Sequence, residues 1–151
     1  MSISLLKAAT YPNPVADREV HEFTFALYPH KGILTEGGTM REGYLLNMPL
    51  TVFPIAKQDG VLPEALSLVS SSNPAFIIET VKRAEDGDGI IVRGYESLGG
   101  KAKTDVKFGF DVKSVEICDL QEKKVSDVDV KDNTAKISMS NFELVTLRVR
   151  V

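Results

Sequence analysis

The chain has 151 residues, enough for one domain or one domain plus a fragment of another, with 43% hydrophobic and 26% charged residues. Its formal net charge of −3 comes with no concentrated basic face, which argues against nucleic acid or an anionic membrane as the main partner. No apolar run approaches the ~20 residues that span a bilayer, and no basic-then-apolar leader opens the chain, so a cytoplasmic protein is expected.

The first residues, with Ile3, Leu5 and Leu6, form an apolar run that opens without a cap or linker. An independent domain rarely starts inside its own strand, so the beginning reads as a cut within a larger protein. A proline-rich connection follows over residues 11–18. Then His21, Phe23, Phe25 and Leu27 alternate with Glu22, Thr24, Ala26 and Tyr28, a period of two that predicts a β-strand ended by Pro29. After a glycine-punctuated loop, Thr39 and Glu42 have capping-box spacing, and a short helix is expected over residues 40–46, stopping near Pro49.

From residue 50 the pattern is all-β. Residues 50–56 are interrupted by Pro54 and read as an edge strand or an extended connection. Strands are expected over residues 66–69 and 75–81, separated by a serine-rich turn. Asp86-Gly87-Asp88-Gly89 reads as a tight hairpin turn into residues 90–92, because aspartate and glycine supply positive φ. A calcium loop would need more oxygen ligands than this stretch offers.

Later rows place Val106, Phe108 and Phe110 inward, then Val115 and Ile117, then Ala135, Ile137 and Met139, then Val145, Leu147, Val149 and Val151. Thr146, Arg148 and Arg150 lie on the opposite face. Short strands at roughly 10-residue spacing indicate an antiparallel β-sandwich, all-β with one short helix.

Catalytic chemistry is sparse. Cys118, the single cysteine, excludes an internal disulfide and a thiolate metal cluster, and in a strand it reads as a small buried apolar residue. Glu85, Asp86, Asp88, Asp105, Asp127, Asp129 and Asp132 fall in turns or on the water face, where they read as solvated rather than as a paired-acid site. His21 and His30 are too few for a three-histidine zinc site. His21 reads as a core or rim histidine. There is no nucleophile elbow, phosphate loop or dinucleotide fingerprint. Tyr28 and His30, at a loop entrance, are the candidate substrate-binding residues; none is a catalytic or metal-ligating candidate.

An ordered set of segments carries a resemblance. Ser4-Leu5-Leu6, Tyr11-Pro12-Asn13-Pro14, Ala16-Asp17 and residues 21–30 come first, then Arg41-Glu42-Gly43-Tyr44-Leu45-Leu46-Asn47-Met48-Pro49-Leu50. Residues 70–74 and 84–96 continue it, and Phe142-Glu143-Leu144-Val145-Thr146-Leu147-Arg148-Val149 closes it. Together they closely resemble the C-terminal part of the family 38 glycoside hydrolases, the zinc-dependent retaining α-mannosidases. The resemblance implies that residues 1–50 are the last strands and short helix of a β-supersandwich, and that residues 51–151 are a smaller terminal sandwich. It also implies that the zinc site and the aspartate nucleophile belong to an upstream catalytic domain, so this chain needs no cofactor and does not hydrolyse an α-mannoside alone.

The expected partners are the catalytic and upstream β domains of the parent and a mannose-containing glycan. A second copy of the chain is also expected, because an apolar N-terminal remnant favours a homo-oligomer. A free-standing carbohydrate-binding module would instead show an exposed aromatic platform. An aldose-epimerase-like enzyme would show a histidine and a carboxylate converging in a cleft.

Overall fold

The computed structural model describes residues 2–151, which fall into two compact units divided between Val52 and Phe53. In the first unit one helix, α1 (Thr39–Asn47), is the only regular element among the described residues. Gly38 occupies the N-cap with φ 71°, and the Glu42 N–H donates to the Gly38 carbonyl at 3.1 Å. The expected capping box between Thr39 and Glu42 is therefore not made. The helix begins one residue earlier than its spacing suggests, Thr39 becomes its first helical residue, and no side chain caps it. At the other end the Met48 N–H reaches the Tyr44 carbonyl at 2.8 Å, and Pro49 stops further propagation.

The strand expected over residues 21–27 does not form. The segment lies outside any ladder, with Phe23, Phe25 and Leu27 exposed. Alternation makes a segment fit to be a strand, but a strand also needs a neighbour whose N–H and C=O groups answer its own. Among the described residues of this unit none does so. Residues 50–56 are likewise without secondary structure, and Leu50, Val52, Phe53 and Ile55 are exposed.

The second unit carries nine strands: β1 (Val69–Ser71), β2 (Phe76–Arg83), β3 (Ile90–Glu96), β4 (Ala102–Phe108), β5 (Ser114–Cys118), β6 (Lys124–Val128), β7 (Val130–Lys131), β8 (Thr134–Met139) and β9 (Leu144–Arg150). They form a four-stranded sheet in the order β1-β4-β8-β7 and a five-stranded sheet in the order β2-β3-β9-β5-β6. All pairings are antiparallel.

The core lies between the inner faces of the two sheets, where Phe76, Val92, Val115, Val145, Leu147 and Val149 meet Val106, Phe108, Ala135, Ile137 and Met139. Each fully buried valine, leucine or phenylalanine there adds about 1.5–3 kcal/mol relative to exposure. Gly94 is required on the inner face of β3. A Cβ there would lie 2.4 Å from the Ile77 carbonyl oxygen and 2.5 Å from Phe76 Cζ. The β2–β3 turn is as expected, with Gly87 at φ 81° and Gly89 at φ 98°. Three details shift: β1 starts at Val69 with Leu66 and Leu68 exposed, Phe110 lies just beyond β4 yet packs half-buried against the core as expected, and Val151 lies beyond β9 and is exposed.

Candidate functional site

In the first unit the two sequence-predicted residues come together. The Tyr28 and His30 rings stack at 5.7 Å with planes 28° apart. The Tyr28 hydroxyl donates to the Gly37 carbonyl at 3.0 Å, and His30 Nδ1 lies 3.1 Å from the Lys31 carbonyl. Gly37 makes the packing possible, since a Cβ on it would fall 2.1 Å from His30 Nδ1. Both rings are exposed. Tyr28 also lines a cavity of about 410 Å³ with Leu27, Glu42, Gly43, Leu45 and Leu46. His21 is exposed rather than part of a core, stacks on Phe23, and has Nε2 3.2 Å from the Asp17 carbonyl.

In the second unit the outer face of the five-stranded sheet carries most of the charge chemistry. Antiparallel register sets Ile91, Arg148 and Glu116 side by side on β3, β9 and β5. Arg148 and Glu116 are buried, although strand parity alone would assign them to water. The β5–β6 loop explains this: it folds back over the sheet, with the Arg148 Nη2 donating to the Glu122 carbonyl at 3.0 Å and Arg93 Nη2 to the Leu120 carbonyl at 3.3 Å.

Each buried charge there has a partner. Arg148 Nη1 lies 2.6 Å from Asp86 Oδ2, Arg150 bridges Asp88 and Glu116 at 2.9 Å each, and Lys124 reaches Glu116 at 3.1 Å. Lys82 joins Glu122 at 2.8 Å and also pairs with Glu85. Asp86, Asp88 and Glu85 are exposed, yet all three are bound into this network rather than merely solvated.

The titrations follow the contacts. The Lys82 ammonium and then the Glu85 N–H hold Glu122 below the usual carboxylate value. For Glu116 burial pushes upward, but the Arg150 and Lys124 cations outweigh it and the carboxyl is lowered. Burial pushes the Cys118 thiol up, as expected of a buried cysteine.

Glu96 is a third buried carboxylate, with no exposed surface, that sequence reasoning missed. It takes the N–H groups of Leu98 at 2.9 Å, Gly99 at 2.8 Å and Phe142 at 3.0 Å, tying the β3–β4 and β8–β9 connections together. Burial pushes its pKa up, and these donors bring it below the usual value.

Among the described residues no three His, Cys, Asp or Glu side chains group to hold a metal ion. The ring nitrogens of His21 and His30 meet the backbone carbonyls of Asp17 and Lys31.

A family model described as glycosyl hydrolases family 38 C-terminal beta sandwich domain matches residues 75–147. The chain is 34% identical over 152 residues to Alpha-mannosidase 2C1 of Homo sapiens, covering 97% of this chain and 14% of that protein. It is 35% identical over 153 residues to Alpha-mannosidase 2C1 of Mus musculus, again with 97% and 14% covered. Alpha-mannosidase G of Dictyostelium discoideum is 33% identical over 156 residues, covering 98% of this chain and 14% of that protein. The chain thus spans 14% of the length of these curated relatives. The matched segment holds strands β2 to β8 and half of β9, both sheets included, and the chain belongs to glycosyl hydrolase family 38 as a C-terminal β-sandwich portion of its α-mannosidases.

Proposed function

We propose that this chain is a non-catalytic scaffold of a zinc-dependent retaining α-mannosidase, whose zinc site and nucleophile lie in another domain of the parent enzyme. The observation that carries the reading is the apolar surface left open by the first unit. Ile3, Leu5, Leu6, Phe23, Phe25 and Leu27 are all exposed, whereas soluble monomers rarely expose contiguous apolar surface beyond a few hundred Å². A catalytic or upstream β domain covers that surface in the working enzyme, and burying each Å² contributes roughly 25 cal/mol. Alone, the chain covers the same residues by self-association.

The test is complementation. The Alpha-mannosidase of Saccharomyces cerevisiae, 28% identical over 166 residues, is shortened by the segment this chain matches and mixed with the purified chain. Recovery of aryl α-mannoside hydrolysis is expected, with no turnover by the chain alone in the presence of zinc. Turnover by the chain alone that disappears on mutating one of its own residues would show that it is an enzyme and not a scaffold.

A further inference from the structure

The outer faces of the two sheets handle charge in opposite ways. On the five-stranded sheet Lys82, Lys124, Arg148 and Arg150 each meet a carboxylate. On the four-stranded sheet the cations stand alone. Strand alternation buries Thr104, Val106 and Phe108 on β4, so Lys103, Asp105 and Lys107 point outward and are exposed. On β8 it buries Ala135, Ile137 and Met139 and exposes Lys136 and Ser138. Register then draws the rows together: Lys136 lies opposite Asp105, Ser138 opposite Lys103, and Thr134 between Lys107 and Lys131.

Lys103, Lys107, Lys131 and Lys136 thus share one outward face, in a chain whose net charge is −3. Asp105 is the one acid among its strand residues, and Asp132 lies in the turn at its rim. Along the chain these lysines are scattered and no concentrated basic face is legible; the sheet assembles one within about 14 Å by 10 Å. Among the described residues none of the four lysines forms an ion pair, not even Lys136 with the Asp105 it faces. Unpaired like charges on one face repel one another and oppose folding.

The composition of the face indicates what it fits. Lysine is depleted at protein–protein contacts, and no large exposed apolar side chain stands at these strand positions to anchor one. The strand positions of the face also hold neither the arginine forks nor the stacking aromatics that grip nucleic acid. What they hold is a flat array of solvated point charges with hydroxyls between them, which suits the headgroups of an anionic bilayer. Acids on the opposite outer face do not cancel it. Stacked sheets lie about 10 Å apart, beyond the ~8 Å over which charges act in physiological salt. We propose that the outer face of the four-stranded sheet adsorbs to membranes containing anionic phospholipid, through Lys103, Lys107, Lys131 and Lys136. This is a property of the second unit and needs no part of the scaffold reading.

The full chain is mixed with phosphatidylcholine vesicles, with and without phosphatidylserine, and the bound fraction is read by flotation at low and physiological salt. Binding is expected only with phosphatidylserine, and it should weaken as salt rises. Lys107→Gln and Lys136→Gln should each lower the partition constant about fivefold. Asp105→Asn should raise it by a similar factor, a gain that misfolding cannot imitate. Lys57→Gln, in the coil before β1, should leave it unchanged. No binding to either vesicle would overturn the proposal, as would binding that the Lys107, Lys136 and Asp105 substitutions do not move. An equal loss from Lys57→Gln would do the same, since any lysine would then serve. Binding that does not require phosphatidylserine would trace to the exposed apolar residues of the first unit and also overturn it. So would capture by polyglutamate in preference to vesicles, which would make the face a protein contact.

Discussion

Arg148 and Asp86 stand 62 positions apart in the chain, and their side chains meet at 2.6 Å on the outer face of the five-stranded sheet. The pair is lopsided: the arginine side chain is 9% exposed and the aspartate 55%. Breaking it from its two ends should therefore have unequal consequences. Arg148→Ala strands the Glu122 carbonyl and uncovers Ile91, and should lower stability by about 2–3 kcal/mol, toward the low end for a buried pair. Asp86→Asn takes the carboxylate from a buried guanidinium but leaves an amide oxygen that can still accept from Nη1, and should cost roughly half as much in a urea titration. Equal losses from the two changes would mean that the arginine end of the pair is as open to water as the aspartate end.

Glu96→Gln should cost about 2–3 kcal/mol, because an amide offers one acceptor oxygen and turns two donors toward N–H groups that already need acceptors. Urea unfolding followed by far-UV circular dichroism gives the number, and Glu96→Asp, which keeps the charge but shortens the reach, should lose less.

Acid stability follows from the same carboxylates. Glu96, Glu116 and Glu122 are each lowered from the usual 4.5 in the folded chain. A depressed folded value means stability that is fully present above the unfolded pKa and is lost as pH falls through the folded one. Stability should therefore hold from neutrality to about pH 5 and decline below it. Glu96→Gln should flatten part of that decline, which a series of urea titrations from pH 7 to pH 3 would reveal.

Gly94→Ala should be among the most damaging single-carbon changes, since its methyl would meet a backbone carbonyl and the Phe76 ring. We expect a loss of about 3 kcal/mol or more, at the upper end for overpacking. Partial rescue by Phe76→Leu in the same chain would identify the ring as half of the clash.

Cys118 should react with a thiol reagent only when the fold opens. It is buried and its thiol is pushed above 9.0 by burial, so the thiolate is scarce as well as sheltered. Modification at pH 7 should be slow in buffer and immediate in denaturant; rapid labelling in buffer would show that the 119–123 loop lifts readily from the sheet.

The sandwich could be read from sequence where one strand face is apolar and the other is not. Val106 and Phe108, Ala135, Ile137 and Met139, and Val145, Leu147 and Val149 sit where a period of two places them. The same reasoning overlooked β6, because Lys124, Val125, Ser126 and Asp127 are all exposed on an edge strand with no apolar row to betray it.

It set Arg148 on the face opposite the core without foreseeing its burial: parity gives the face correctly, but burial on that face depends on a loop returning from β5. For residues 21–27 the pattern reports a capacity to pair, and the partner is not encoded in the segment itself. Tyr28 and His30 could be paired from their i, i+2 spacing. Glu96 offered no such signal, since its role comes from N–H groups contributed by two separate connections.

The strand order has a consequence for how the molecule is made. β9 sits between β3 and β5, so a ribosome that has reached residue 143 has produced both flanks of the five-stranded sheet and nothing to join them. Val92 must wait for Leu147, and Val115 for Val149. Until then two strand edges face outward together, which is the condition in which nascent β proteins find the wrong neighbour. Residues 144–150 thus act as the keystone of an arch whose sides are raised first, and folding of the sheet is gated by the synthesis of its middle.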